Sequence, residues 1–439
     1  MKKINLLATT LLAAALVLPA SAEDIVKTGF NFGVLPAVSY SSDQGFQYGA
    51  IVNLFHYGDG SRYPAYDHSL YLEASKYTKG TSVLRFYYDS DRLIDGINTF
   101  VDLGYIGNSM QDFYGFNGYR SYYNSDIAKN AESALYNRGF YKMQQNKLYF
   151  QADLRGSLGL DNLYWVAGLG YYHYTVGDLN FDKLNKGKSD DKKLPENVPS
   201  LYDLYCANGL ISADEADGGN LGLVKAGITY DSRNAKSNPS KGIYTEAMLE
   251  YAVPGVSESS YLAYSLTHRQ YFGLLPDRLH LAYRVDVQGT IGSNKMPFYR
   301  LPQLMGNFTR RSMTTGLGGA YTLRGALLNR VVGDGFALAN LELRWKVVKF
   351  TVGKQNIYVG LNPFVDAGYV FDPIDLELNE LQKQSCMLTG EKDGIHTTAG
   401  CGLKLAMNEN FVVSCDVGKA LNEQDNDGLG VYIALNYLF

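Results

Sequence analysis

From Thr28 onward, apolar and polar residues alternate with a period of two, broken at intervals by polar, glycine-rich turns. That period puts successive side chains on opposite faces of a strand, whereas an amphipathic helix would repeat every three to four residues. The clearest predicted strands are Gln47–Phe55, Ser69–Tyr77, Ser82–Tyr88, Thr99–Tyr105, Lys147–Leu158, Leu163–Val176, Gly222–Tyr230 and Tyr244–Tyr251. They continue with Tyr261–Phe272, Leu279–Ile291, Phe336–Trp345, Ile357–Phe371, Thr397–Met407, Phe411–Leu421 and Leu429–Phe439. With a first strand at Thr28–Tyr40 the total is about sixteen, an even number such as a single-chain antiparallel barrel requires. The expected fold class is therefore all-β, a transmembrane β-barrel.

Connection lengths support a barrel with two unlike rims. Gly159–Asn162, Leu274–Asp277 and Asn408–Asn410 read as short turns, and Asn108–Met143, Gly177–Asn220, Gly292–Gly335 and Asp372–Ile395 as long loops. In outer-membrane barrels short turns face the periplasm and long loops face outside. The long loops then fall on the third, fourth, sixth and seventh outer connections. Within the fourth, Lys186–Lys193 is a mixed-charge solvated run and Leu201–Cys206 suits a short helix. The loop is either a lid over the barrel mouth or an ordinary surface loop.

The N-terminus adds an export signal. Lys2 and Lys3, the apolar run Leu6–Leu18 and the small residues Ala20-Ser21-Ala22 read as a signal peptide over residues 1–22, leaving a barrel over residues 23–439. The run is too short for a membrane-spanning helix. Strand-like sequence starts so soon afterwards that no separate periplasmic domain is expected. Composition agrees: 46 glycines, 36 tyrosines and only 19% charged residues suit strands with interfacial aromatic girdles in outer-membrane lipid. A net charge of −4 gives no basic excess for nucleic acid.

Candidate chemistry concentrates in Leu317–Arg330, and above all in Arg324 and Gly325, within a loop too long for a simple turn. Downstream, Asn340, Glu342 and Arg344 share one strand face, and Asp366 lies on the polar face of the next strand, in Phe364-Val365-Asp366-Ala367-Gly368. Two inward carboxylates suit one guanidinium, held by charge-assisted hydrogen bonds. The expectation is that this loop folds into the lumen and locks there. Pro36 removes a ladder donor from the first strand, so a seam between first and last strands should be the weakest in the barrel. The last strand carries Tyr437 and ends at Phe439, similar to the C-terminal assembly signal of outer-membrane proteins.

Catalytic and metal motifs are not found. Gly-x-Ser-x-Gly, His-Glu-x-x-His and Cys-x-x-Cys are missing from the sequence, and its six histidines lack ligand spacing, so neither metal nor cofactor is expected. Cys401 and Cys415 read as small hydrophobes on adjacent strands. A bridge between Cys206 and Cys386, which lie in different loops, stays open.

These residues resemble the BamA/TamA superfamily, the bacterial surface antigen family, most strongly from about Gly227 onward. Asp231-Ser232-Arg233 followed by Pro239-Ser240-Lys241-Gly242 is similar to its strand-turn-strand signature. Leu323-Arg324-Gly325 resembles its sixth-loop motif, and Phe364 to Gly368 matches its Phe-x-Asp-x-Gly strand motif. Ala326 stands where the family has an aromatic residue. The resemblance implies an accessory or minimal role in outer-membrane protein assembly or translocation, with assembly subunits or client barrels as partners. The family's polypeptide-transport-associated domains are not expected here. A passive pore and a barrel phospholipase built on a Ser–His pair are the alternatives.

Overall fold

The computed structural model describes residues 26–439 except 63–65, 191–192, 197, 236–237, 306–315, 353–354, 377, 390, 408–410 and 436. The signal peptide and the turn at 408–410 lie outside the described residues.

The strands are β1 (Phe30–Pro36), β2 (Ser39–Ser41), β3 (Gly45–His56), β4 (His68–Tyr77), β5 (Thr81–Ile94), β6 (Ile97–Asp112), β7 (Lys142–Ser157) and β8 (Leu163–Gly177). They continue with β9 (Gly218–Asp231), β10 (Gly242–Ala252), β11 (Leu262–Leu275), β12 (Leu279–Ile291), β13 (Gly335–Val352), β14 (Gln355–Asp372), β15 (His396–Met407), β16 (Phe411–Ala420) and β17 (Leu429–Leu435). From β2 to β17 each strand pairs antiparallel with the next, and β17 returns to β2, closing the sheet. β1 and β2 are successive pieces of one wall position, since both pair with β3. The barrel thus has sixteen strands.

The alternation sorts polar from apolar faces as the membrane demands. On β5, Arg85, Tyr87 and Asp89 are buried inward while Leu84 is exposed outward; on β8, Tyr172 and Tyr174 face in while Leu169 and Tyr171 face out. The inner wall is polar and paired, as in Arg85–Asp102 at 2.7 Å and Lys225–Asp153 at 2.6 Å. The outer wall presents Leu103, Val224, Leu249, Leu266, Leu341, Val365 and Leu403. This band is where lipid replaces water, because the closed ladder leaves few backbone groups unpaired. No helix among the described residues is long and apolar enough to cross a membrane.

One rim is low on one side and domed on the other. The outer connections 42–44 and 78–80 are tight, whereas 113–141 (loop 3), 178–217 (loop 4), 292–334 (loop 6) and 373–395 (loop 7) are long. The dome has its own apolar core, including Phe113, Phe116, Tyr202, Tyr205, Phe298, Tyr299 and Cys386. Helix Leu201–Ala207 lies within it, started by a capping box in which Ser200 and Asp203 bond reciprocally. Loop 4 is therefore packed into the dome, with the rings of Phe113 and Tyr205 edge-to-face at 5.2 Å. Cys206 and Cys386 are both free thiols, as are Cys401 and Cys415.

Two strand expectations need correction. The first strand breaks at residues 37–38, directly after Pro36, where Ala37 turns in and is buried. The last strand ends at Leu435, not Phe439. Tyr437, Leu438 and Phe439 leave the wall and are buried, Tyr437 beside Tyr358 and Phe439 beside Tyr271 and Ala282. The cause is Arg344, whose guanidinium lies 4.4 Å from the Tyr437 ring centroid and 5.0 Å from that of Phe439, and donates to the Phe439 main-chain oxygen at 2.7 Å. Aromatic faces over a buried cation outweigh continued alternation here.

Candidate functional site

The site forms where loop 6 meets the inward faces of β13, β14 and β16. Register sets Asn340 of β13 opposite Asp366 of β14, and Glu342 lies two residues along the same inward face. Arg324 reaches both carboxylates. Its Nη1 donates to Glu342 Oε1 at 2.6 Å, its Nη2 to Asp366 Oδ1 at 2.8 Å, and its Nε and backbone N–H to Asp366 Oδ2 at 2.9 and 3.1 Å. All three residues are 0% exposed.

Such burial is tolerable only because the charges balance. Arg324, Arg344 and Lys404 face Glu342, Asp366 and Asp416: Arg344 pairs with Glu342 at 2.8 Å, Lys404 with Asp416, and Asp416 also lies 3.7 Å from Arg324. Asn340 fills the remaining acceptor site on Asp366 at 2.7 Å. The guanidinium rests 3.5 Å from the Phe364 ring centroid, so the first and third positions of Phe-x-Asp-x-Gly contact the same arginine. Gly368, the fifth, lies under the loop, where an added Cβ would sit 3.0 Å from Leu317 and Leu323.

Gly325 makes a turn that a side chain would block. Its φ is +113°, and a Cβ there would lie 2.6 Å from the Lys419 backbone nitrogen. Its N–H donates to Tyr432 Oη on β17 at 3.0 Å, and its carbonyl accepts from Asn426 at 2.8 Å. Ala326, in place of an aromatic, is buried with Leu317, Leu323, Phe336 and Val370. Tyr432 of β17 supplies an aromatic neighbour to Gly325.

The other singled-out residues lie elsewhere. Asp231 and Arg233 form their own bidentate pair at the opposite rim, with Nε–Oδ1 at 2.8 Å and Nη2–Oδ2 at 2.9 Å. Gly242, at φ +105°, starts β10 across from them, and Pro239 is buried. Together these residues fix a turn, and none of them contacts Arg324. Pro36 pairs with Ala50 on the β3 side. Among the described residues the closing seam is short: Tyr432 with Ser41 and Ile433 with Tyr40 are in register, extended by a Ser42 N–H bond to the Val431 carbonyl at 2.9 Å. β13 and β14, by contrast, pair from Gly335/Asp372 to Val352/Gln355, with register shifts at Gly335/Phe336 and Lys346/Val348.

Several functional contacts were not singled out from sequence. Arg330 is fully buried and donates to the carbonyls of Gln424 at 2.6 Å, Gly118 at 3.0 Å and Ser121 at 2.8 Å, tying loop 6 to loop 3 and to connection 421–428. His396 lies between Asp425 at 2.7 Å and Asp393 at 2.9 Å, under the Tyr119 ring. A Ser–His pair also exists, with Ser90 Oγ 2.9 Å from His68 Nδ1. That hydroxyl donates to the Asp67 carbonyl and accepts from the Arg92 and Leu93 N–H groups, which fixes it as a turn contact rather than a poised nucleophile.

A sixteen-strand barrel with a buried arginine from its sixth outer loop bonded to wall carboxylates defines a class of outer-membrane barrel. The Omp85 superfamily domain matches residues 114–435, and the chain belongs to that superfamily. Among solved structures it is similar to BamA from Haemophilus ducreyi lacking POTRA domains 1–3, with a TM-score of 0.53 and 16% identity over 93% of this chain and 70% of that one. It is likewise similar to CdiB from Escherichia coli, with a TM-score of 0.53 and 10% identity over 95% of this chain and 64% of that one. At such identities the likeness is one of fold. No curated protein sequence matches the chain.

Proposed function

We propose that this barrel acts in the outer membrane as an accessory or minimal member of the assembly and translocation machinery, with loop 6 serving as a lumen plug. The observation that carries this reading is the pairing of a buried Arg324 anchor with a closing seam of two registered pairs. A barrel serving only as an open pore has no evident need for a loop arginine held at 0% exposure. A short seam supplies what strand exchange needs: backbone groups of β1 and β17 that a client strand can pair with by edge addition. The outward residues of β1, Phe30 and Phe32, are each 79% exposed, which suits a strand whose outer face meets lipid. Client barrels and further assembly subunits are the proposed partners, because strand edges select weakly among sequences.

The test has two arms. Deletion of the gene should alter a subset of surface proteins, read by quantitative proteomics of outer membranes, and affinity purification should recover assembly subunits. Purified protein in lipid vesicles should not accelerate folding of a second barrel unaided. Unchanged surface proteins together with high basal conductance would replace this reading with that of a passive pore. Robust insertion by the isolated chain would make it a full insertase.

A further inference from the structure

The Arg324 site is not the only place where loop 6 enters a buried ion pair. Arg300, on the limb leading into the loop, is buried and donates through Nη2 to Glu250 on β10, at 3.0 Å to Oε1 and 2.9 Å to Oε2. Tyr261 donates to the same carboxylate at 3.1 Å, and the guanidinium lies 4.8 Å from the Tyr172 ring centroid on β8. Glu250 and Arg300 are 4% and 6% exposed, comparable to the Arg324 site rather than to a surface pair.

The surrounding limb is separately fastened. Gln145 of β7 donates to the Tyr299 carbonyl at 3.1 Å, and Gln288 of β12 donates to the Gln303 carbonyl at 2.9 Å while accepting from the Met305 N–H at 2.8 Å. Phe298 N–H donates to Glu215 of loop 4 at 3.0 Å. These partners belong to β7, β8, β10, β12 and loop 4. Those of Arg324 belong to β13, β14 and β16. The two ion pairs share no residue, and interactions without shared partners contribute additively.

We infer that loop 6, beyond the bonds of Arg330 to neighbouring loops, is secured to the barrel wall by two independent ion-pair anchors, Arg300–Glu250 and Arg324–Glu342/Asp366, so that the plug stays in place when either is lost. Arg300 and Glu250 are then positioning residues for the loop, and release of the plug requires both anchors to open. This rests on the plug reading above and makes that reading more specific: a client that displaced only the Arg324 tip would find the other limb still seated.

The test removes each anchor as a neutral pair, so that no charge is stranded: R300M with E250Q, and R324M with D366N, where Glu342 keeps Arg344. Channels are recorded in planar bilayers in KCl, with a barrel whose residues 293–333 are replaced by a short glycine-serine turn as the open reference. Each pair variant should stay within about twofold of wild type, and the combination should rise to the reference. Either pair variant reaching the reference alone, or the combination remaining at the wild-type level, overturns the inference. A loopless reference no more conductive than wild type would overturn the plug reading and the inference with it. Should the combined variant fail to fold, thiol labelling of the separate variants decides. With the native cysteines replaced by serine, A326C should stay protected when the Arg300 anchor is removed, and M296C should stay protected when the Arg324 anchor is removed. Labelling of both positions after loss of one anchor would show a single cooperative lock.

Discussion

Asp366→Ala tests the energetics of the Arg324 anchor most directly. The carboxylate accepts from Arg324 N, Nε and Nη2 and from Asn340 Nδ2, and its removal leaves a guanidinium and an amide buried with fewer partners. Breaking a buried pair by deleting one member costs roughly 3–5 kcal/mol, because the stranded charge keeps its desolvation penalty. Glu342 at 2.6 Å and Asp416 at 3.7 Å remain near the arginine, which puts the expected loss at the lower end, about 3 kcal/mol. At about 1.4 kcal/mol per tenfold, that weakens loop docking by about two orders of magnitude. The denaturant midpoint of the barrel refolded in lipid measures the loss, and heat-modifiable gel mobility measures the folded fraction. Asp366→Arg should fold less well than Asp366→Ala, since it sets two guanidinium groups against each other. The reasoning is refuted if Asp366→Ala lies within about 0.5 kcal/mol of wild type, or if Asp366→Arg folds as well as the alanine variant.

Three further outcomes follow from the same geometry. Backbone amides of the β2–β17 seam should exchange hydrogen faster than those of β13–β14; equal protection would remove the basis for strand exchange there. Tyr432→Phe deletes the acceptor of the Gly325 N–H and leaves a buried donor unpaired at a cost of about 1–3 kcal/mol, so exchange at Gly325 and at the Ser42 seam contact should rise together. A rise at one without the other would separate tip from seam. In connection 42–44, burial, then the facing Asp112, push the Asp43 carboxyl up to about 7 from 3.8. A raised carboxyl favours the protonated folded form, so this stabilisation is complete below 3.8 and is lost as pH rises through about 7. The protection factor at Ser42, which removes the intrinsic base-catalysed rise of exchange with pH, should therefore fall across that interval, and Asp43→Asn should abolish the fall.

The strands were legible because a membrane barrel obeys one rule along its whole wall. Glu342 and Asp366 could be placed inward from alternation alone, and Arg324 followed as the cation in a long loop beside them. Arg300 and Arg330 looked no different in sequence from solvated loop charges, since their partners lie far away in the chain: Glu250 on β10, and carbonyls at 118, 121 and 424. Local periodicity carries no trace of such pairings. At the C-terminus it misled, because alternation runs on through Phe439 although Arg344 draws Tyr437 and Phe439 off the wall. The break after Pro36 was half visible: proline signalled a lost donor, and the inward turn of Ala37 was not encoded in any pattern.

The Arg-Gly turn also measures strand alignment. Gly325 lies against the Lys419 backbone, the Arg324 carbonyl would meet a Cβ on Gly418 at 2.1 Å, Leu327 N–H donates to the Asp425 carbonyl, and Tyr432 takes the Gly325 N–H. One turn thus touches β16, β17 and the connection between them. A slip of one residue would turn every side chain of β17 to the other face, sending Tyr432 into lipid and forfeiting these contacts. Loop 6 is in this sense a template for the final hairpin: once it is seated, only one alignment of the last two strands satisfies it.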